Sequence, residues 1–411
     1  MVGKKFYKSF FILALSAGLV ACSGQQDNAN NTADPHAGHN GASETSKTKN
    51  KNTSGESTST INLSTKNVTR LHATNPIEAA IGVSQTIWPS THDENKPGTV
   101  ILAPVENWQV ALASTNLIHH PNNGPVLYYK DGKIPAETLD EIKRLGPLGN
   151  TNGTEIMVMG SLEEKETEQL KDYKVETMTA VDPAQFAQDI DKKYAEITGE
   201  ITDGVIIVSV EDDAKLHSII AANWIAHMPE PILFVTKDDV PEFTKQALSL
   251  RNNKASLYIL GPESVISKNV EDTLSDYGKV TRIAGETPTE TSLAFAKFKD
   301  QNIKFGWGIS NPGHGLEFVS TESPEMAIVG APFAHLGKHA PMIWLDNGEA
   351  TDPVHEYLGL LKPTFKDDPT VGPYTHVYLL GSTELVSRET QGMIDLMIEI
   401  SPEDGGGHGG H

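Results

Sequence analysis

Val280-Thr281-Arg282-Ile283 is the stretch that decides the fold, because two earlier stretches repeat its pattern: Val68-Thr69-Arg70-Leu71 and Val175-Glu176-Thr177-Met178. In all three, two polar residues lie between two apolar ones, and we interpret each stretch as a β-strand with one buried face. The valines that open them are 107 and 105 residues apart, counting from 68 to 175 and from 175 to 280. This regular spacing indicates an internal repeat.

A helix start follows each of these predicted strands at the same distance. Eight residues after each valine stands a proline, and the residue before it has a side chain that can cap a helix. The three pairs are Asn75-Pro76, Asp182-Pro183 and Thr287-Pro288. The capping side chain accepts backbone N–H bonds, and proline fits the first helical position, where an N–H would lack a partner. Three helices are therefore predicted at matching places.

Three more predicted strands follow in the same order within each repeat. The second strands are Val100-Ile101-Leu102, Val205-Ile206-Ile207-Val208 and Leu316-Glu317-Phe318-Val319, the last of them interrupted by a glutamate. The third strands begin at Pro125, Pro231 and Pro341. The fourth strands are Ile156-Met157-Val158-Met159, Leu257-Tyr258-Ile259-Leu260 and Val377-Tyr378-Leu379-Leu380. Apolar strands that alternate with helices are typical of parallel sheets covered on both faces.

The predicted fold class is therefore α/β, with three tandem, doubly wound parallel-sheet repeats. Repeat 1 covers residues 67–173, repeat 2 covers 174–278 and repeat 3 covers 279–400, with a Gly/His tail at 401–411. The right-handed rule for βαβ connections restricts how each repeat can be wound.

The N-terminal residues have the features of a lipoprotein leader. Lys4, Lys5 and Lys8 precede an apolar run that is too short to span a bilayer, as in a secretory signal peptide covering residues 1–21. The run ends in the tetrad Leu19-Val20-Ala21-Cys22, which resembles the lipobox of bacterial lipoproteins, and Cys22 is the single cysteine of the chain. We expect Cys22 to be lipidated and to anchor the protein in the membrane, on the extracytoplasmic face.

Residues 22–66 predict a disordered tether behind this anchor, because they contain too few apolar side chains to form a core. The formal net charge of the chain is −21, and loss of the three leader lysines would make it −24. A field of this sign repels polyanions, so we expect no nucleic-acid partner.

The repeats resemble the type 2 cell-wall-binding repeat family of Gram-positive surface proteins. The stretches that carry the resemblance are Val280-Thr281-Arg282-Ile283-Ala284-Gly285, Pro231-Ile232-Leu233-Phe234, Tyr258-Ile259-Leu260-Gly261 with Val265-Ile266-Ser267, and Tyr378-Leu379-Leu380-Gly381 with Val386-Ser387. The resemblance implies three units packed with pseudo-threefold symmetry and non-covalent retention on the cell wall through an anionic polymer. A family Asp-Arg-Tyr element after the opening strand is missing from all three repeats, which places this ligand in question.

Arg70 and Arg282 are the candidate ligand-binding residues. Each follows the Val-Thr of an opening strand, and a guanidinium can pair bidentately with phosphate or carboxylate. The alternative is structural: each arginine would fix the joint between two repeats by pairing with an acidic neighbour.

No cofactor is predicted, and two histidine pairs, interpreted first as incidental polar sequence, leave a divalent metal as the alternative. These candidate ligands are His36 with His39 and His408 with His411. Neutral imidazole binds zinc, copper or nickel, although closed zinc sites normally have four ligands. His335 and His339, on one face of a predicted helix, and His119-His120, at a helix end, are interpreted as ordinary structural histidines.

No catalytic residue is predicted, because the sequence contains no nucleophile elbow, phosphate loop or catalytic cysteine. Four acidic residues follow second strands, where α/β proteins place ligands, although they also suit a helix start: Glu106, Asp212, Asp213 and Glu322. Three functions stay open: a non-enzymatic lipoprotein that binds an envelope polymer or a surface protein, an extracytoplasmic metal-binding protein, and a hydrolase that uses these carboxylates.

Overall fold

The computed structural model describes residues 63–119 and 122–404, all within the unit Ile61–His411. Cys22, the histidines at 36, 39, 408 and 411, and the leader lie outside the described residues, so the expectations for them stay predictions. In the described part of the chain, no helix is long and apolar enough to cross a membrane.

All of the strands foreseen from the sequence are present, with short additional strands near the C-terminus. Within the described residues the strands are β1 (Val68–Leu71), β2 (Val100–Pro104), β3 (Val126–Tyr129), β4 (Ile156–Met159), β5 (Val175–Met178), β6 (Gly204–Ser209), β7 (Ile232–Val235), β8 (Ala255–Leu260), β9 (Gly278–Ile283), β10 (Gly315–Ser320), β11 (Met342–Leu345), β12 (Thr364–Phe365), β13 (His376–Leu380) and β14 (Ser401–Pro402).

Helices connect these strands and cover the sheets. In the same part of the chain they are α1 (Pro76–Ile87), α2 (Trp108–Ser114), α3 (Ala136–Leu145), α4 (Glu164–Glu168), α5 (Pro183–Thr198), α6 (Lys215–Ser218), α7 (Ala221–His227), α8 (Glu242–Ser249), α9 (Lys268–Leu274), α10 (Pro288–Lys297), α11 (Glu325–Gly330), α12 (Pro332–His335), α13 (Asp352–Leu360) and α14 (Arg388–Met397). Short 3₁₀ turns lie at Asp93–Asn95, Thr115–Leu117, Asp212–Ala214, Ser275–Tyr277 and Pro369–Val371.

The three predicted helix starts are confirmed, together with their caps. The Asn75 side chain accepts bonds from the N–H groups of Ile77 and Glu78, at 3.0 Å each. Asp182 and Thr287 accept corresponding bonds in the other two repeats, and proline is the first residue of each helix. Local chemistry therefore sets where α1, α5 and α10 begin.

The prediction that His335 and His339 share a helix face is wrong. Helix α12 ends at His335, and His339 has a φ of 56°, in the left-handed region. Gly337 lies in the stretch that would have to extend the helix, and glycine disfavours helix interiors.

Three four-stranded parallel sheets share one strand order, and this confirms the α/β class with repeated parallel-sheet units. The orders are β3-β2-β4-β5, β7-β6-β8-β9 and β11-β10-β13-β1. In each sheet, the second, third and fourth strands of one repeat are joined by the opening strand of another. The sheets are therefore offset by one strand from the sequence repeats.

This offset makes the arrangement circular. Repeat 1 receives β5 from repeat 2, repeat 2 receives β9 from repeat 3, and repeat 3 receives β1 from repeat 1. The last pairing aligns Val68 with Val377 and Leu71 with Leu380. Each sheet depends in this way on a neighbouring repeat.

The glutamate that interrupts the third second strand is part of the core. Glu317 is fully buried within β10, and its Oε2 accepts a hydrogen bond of 2.6 Å from Asn223 on α7. A Cβ at Gly330 would lie 1.8 Å from Glu317 Oε1, so only glycine leaves room for this carboxyl. Burial raises the pKa of Glu317 to about 8, against the opposing effect of the Asn223 hydrogen bond.

We predict that Glu317→Gln removes a pH dependence from the stability of the protein. The raised pKa lets the folded state keep a proton that the unfolded chain loses above pH ~4.5, so wild-type stability falls as the pH rises from there to about 8. Glutamine retains an acceptor for Asn223 and cannot ionise. Urea unfolding at pH 8 should show a higher free energy of unfolding for the variant than for wild type. At pH 5 this difference should be much smaller.

Glu322→Gln is the matched control, because Glu322 is exposed just beyond the same strand. It should leave the pH dependence of wild type unchanged. If the free energy of unfolding depended on pH equally in wild type and Glu317→Gln, Glu317 would be ionised in the folded state.

Candidate functional site

The first candidate ligand contact, Arg70, is buried and fully hydrogen-bonded inside the protein. Its side chain lies in β1, and the residue is 6% exposed. The acceptors of its guanidinium are Gln391 Oε1 at 2.7 Å, and the carbonyl oxygens of Gly381 at 3.1 Å, Ser382 at 2.9 Å, Val386 at 2.8 Å and Ser387 at 3.2 Å. These five acceptors match the five N–H donors of a guanidinium.

This arginine ties the beginning of the described chain to its end. Four of its acceptors belong to the loop between β13 and α14, and Gln391 lies on α14 itself. Burial, with a smaller contribution from Arg388, lowers the pKa of Arg70 to about 10, so the side chain remains charged at neutral pH. The charge is solvated by carbonyl dipoles instead of by a carboxylate.

Arg282 has the same role at the joint between repeats 2 and 3. Its Nε donates to Glu271 Oε2 at 2.8 Å, and one terminal nitrogen lies 2.7 Å from the same oxygen. The other donates to the carbonyl oxygen of Gly261 at 2.8 Å. Gly261 follows β8 as Gly381 follows β13, so both arginines bind equivalent carbonyl groups.

The opening strand of repeat 2 has no arginine at the equivalent position, and a tyrosine of repeat 1 itself binds the carbonyl group that precedes the equivalent glycine. Thr177 stands in β5 where the other opening strands have arginine. Near the equivalent Gly160, the hydroxyl of Tyr129 donates to the Met159 carbonyl oxygen at 2.8 Å and accepts from the Ser161 N–H at 3.2 Å. Of the two roles that the sequence left open for the arginines, the geometry supports the structural one.

We predict that Arg70→Ala lowers the free energy of unfolding by ~3 kcal/mol or more, because five buried acceptors lose their donors. Arg70→Lys should lower the free energy of unfolding by less, because it keeps the charge, although it has too few donors for the five acceptors. Arg282→Ala should also lose less, because its side chain is 17% exposed and its partner Glu271 can be hydrated. Urea denaturation at pH 7 measures all three.

A wall-polymer pulldown on the same variants separates the two roles. If Arg70→Ala left stability unchanged and abolished polymer retention, the arginine would be a ligand contact. Loss of stability together with unchanged retention in folded Arg282→Ala would support the structural role.

The acidic residues after the second strands serve turns and joints in different repeats. Glu106 accepts a 3.1 Å hydrogen bond from the N–H of Asp131. Asp212 accepts a 2.8 Å bond from Trp108 Nε1, so it joins repeat 2 to repeat 1. Asp213 and Glu322 are exposed. Because Glu106 and Asp212 have separate partners, these contacts give no support to a carboxylate pair of the kind that hydrolases use.

A cavity of about 480 Å³ lies between repeats 2 and 3, where the carboxyl ends of β10 and β11 meet the first turns of α10 and α13. Its lining consists of Leu216, Thr287, Pro288, Thr289, Glu290, Thr321, Asp346, Asn347, Thr351 and Pro353. This is the edge of a parallel sheet at which α/β proteins bind ligands. Nine of these ten residues belong to repeat 3 and Leu216 belongs to repeat 2. Sequence reasoning missed the site because its lining comes from several segments that are separated along the chain.

The cavity wall combines apolar surface, to which Leu216, Pro288 and Pro353 contribute, with hydroxyl, amide and carboxylate groups, and it has no lysine or arginine among the described lining residues. Asn347 donates its backbone N–H to Thr321 Oγ1 at 2.8 Å, which fixes the turn after β11. Glu290 accepts from the N–H of Thr287 at 2.9 Å in the α10 cap. Such a wall suits a ligand rich in hydroxyl groups and disfavours a polyanion.

Comparison with known proteins supports the architecture. No family model matches the sequence, and no curated protein matches it. Cwp6 from Clostridium difficile has a similar solved structure, with a TM-score of 0.64 at 18% identity, covering 79% of this chain and 48% of that chain. The solved structure of Cwp8 from the same organism has a TM-score of 0.62 at 20% identity, covering 81% of this chain and 52% of that chain. This chain therefore spans about half the length of these two cell wall proteins, and its fold of α/β repeats is similar to theirs.

Proposed function

We propose that this protein is a lipid-anchored, non-enzymatic surface protein that binds a hydroxyl-rich polymer of the cell envelope. The observation that carries the proposal is the cavity between repeats 2 and 3, in a fold similar to that of cell wall proteins. Its position at the carboxyl ends of parallel strands suits ligand binding. A surface protein is the alternative partner.

Charge favours a neutral glycan over the anionic polymer that the resemblance implies. The chain has 54 acidic and 33 basic residues, and its best-placed arginines already have internal partners. Hydroxyl, amide and carboxylate side chains can exchange their hydrogen bonds with water for bonds with sugar hydroxyls. A polyanion would meet Glu290 and Asp346 in the cavity.

We predict that Asn347→Ala combined with Thr351→Ala weakens retention on purified wall glycan about tenfold, which corresponds to ~1.4 kcal/mol. Both residues line the cavity, and neither belongs to the buried core. Sedimentation with wall glycan, before and after removal of its anionic secondary polymers, measures retention.

The matched control is Glu164→Ala combined with Thr167→Ala, in a second cavity of about 480 Å³ beneath α4. This control should bind like wild type. Retention that disappears with the anionic polymers, or that is equal in both double variants, would contradict the proposed site.

We predict that Cys22→Ala releases the protein from membranes. Support comes from the lipobox-like tetrad and from the absence of any other cysteine in the sequence. Membrane fractionation of cells expressing either form, with metabolic labelling by a fatty acid, measures the anchor. A variant that remains in the membrane fraction would show that another element holds it there.

A further inference from the structure

Three histidines, one from each repeat, end the helical segments at the centre of the protein. His119 follows the 3₁₀ turn Thr115–Leu117, His227 is the last residue of α7, and His335 is the last residue of α12. Each stands five to seven residues before the third strand of its repeat, β3, β7 or β11. The 3₁₀ turn and α12 both pack on α7, and this packing brings the three chain positions together.

The three imidazole rings lie close to one another. The ring centres of His119 and His335 are 4.7 Å apart, and those of His227 and His335 are 6.0 Å apart. His339 lies 4.5 Å from His227 and extends the group on one side. Rings at these separations can point nitrogen atoms at one ion, because a zinc–nitrogen bond is ~2.0–2.1 Å long.

The His227 ring is held in place and has an unused nitrogen. Trp307 stacks on it with an interplanar angle of 12° and ring centres 5.7 Å apart. Nδ1 of His227 is buried and has no hydrogen-bond partner among the described residues.

Buried amides with unpartnered atoms lie one turn before two of these histidines, although Nδ2 of Asn223 donates to Glu317 Oε2 and to the carbonyl oxygen of Ala340. Asn223 precedes His227 by four residues on α7, hence on the same helix face, and its Oδ1 is buried without a partner within the described chain. Asn116 precedes His119 by three residues, and both polar atoms of its amide are buried and unpartnered there as well. Both residues are 0% exposed. Buried amides without partners are rare in proteins and point to a missing ligand or water.

We propose that His119, His227 and His335 bind one divalent transition-metal ion of the zinc type at the junction of the three repeats. The ligand atoms would be neutral imidazole nitrogens, which suit zinc, copper and nickel. In the side-chain arrangement described, no group of three His, Cys, Asp or Glu residues already has metal-binding geometry. Binding therefore requires the partly exposed rings of His119 and His335 to rotate toward His227.

This site is separate from the terminal histidine pairs and from the polymer cavity. An ion held by one side chain from each repeat would cross-link all three repeats and would stabilise the folded state by mass action. Its test does not depend on whether the protein binds a polymer.

The test starts from the full chain with His36, His39, His408 and His411 all changed to alanine, which removes the terminal pairs. Calorimetric titration of this parent with Zn²⁺ at pH 7.5 should give one ion per chain and a raised melting temperature. Adding His119→Gln and His335→Gln should lower the affinity at least a hundredfold and abolish the thermal shift. His92 is exposed and distant in sequence from the three histidines. Adding His92→Gln should change neither the affinity for Zn²⁺ nor the thermal shift.

Copper gives a measurement that does not depend on the folding of a variant. Electron paramagnetic resonance of the Cu²⁺-loaded parent should show coupling to at least three nitrogens. The proposal is overturned if the parent binds no ion, if the histidine double variant binds as tightly as the parent, or if copper couples to fewer than two nitrogens.

Discussion

The structure depends on one constraint: no repeat can complete its own sheet. Each repeat supplies three strands to one sheet and places its opening strand at the edge of another. A parallel edge strand needs a partner for its backbone groups, so the repeats are bound to one another by main-chain hydrogen bonds as well as by side-chain packing. Pairing of β1 with β13 closes the circle, and Arg70 and Arg282 each fasten an opening strand to its host repeat.

Much of the fold could be predicted from the sequence because its signals are local. The apolar residues of Val68–Leu71 and the continuous apolar run of β6 mark strands, and the Asn75-Pro76 pair marks a helix start, through interactions within a few residues. The host sheet of each opening strand could not be predicted, because the strand pattern is the same whichever neighbour it joins. The burial of Glu317 also escaped prediction, since the space for its carboxyl comes from Gly330 on another element.

The candidate sites show the same division between local and assembled features. Arg70 and Arg282 were identified from their position after Val-Thr, while their internal acceptors come from segments 10 or more residues away in sequence. The cavity draws nine of its ten lining residues from separated segments of repeat 3 and one from repeat 2, and the histidine cluster has one side chain from each repeat. A signal for the cluster did exist: each repeat has a histidine shortly before its third strand. Its meaning emerges only when the repeats are placed around a common centre.

Circular strand exchange also sets the order in which the chain can fold. Sheets that receive β5 or β9 need a strand that directly follows their own repeat, so they can form soon after synthesis passes it. The third sheet is different, because Val68 pairs with Val377 across 309 residues of sequence, counting from 68 to 377. Closing so long a loop is entropically costly, and contacts at such separation slow folding. Until repeat 3 has been synthesised, β1 lacks its partner strand and is open to pairing with another chain, although it precedes every other strand of the described residues.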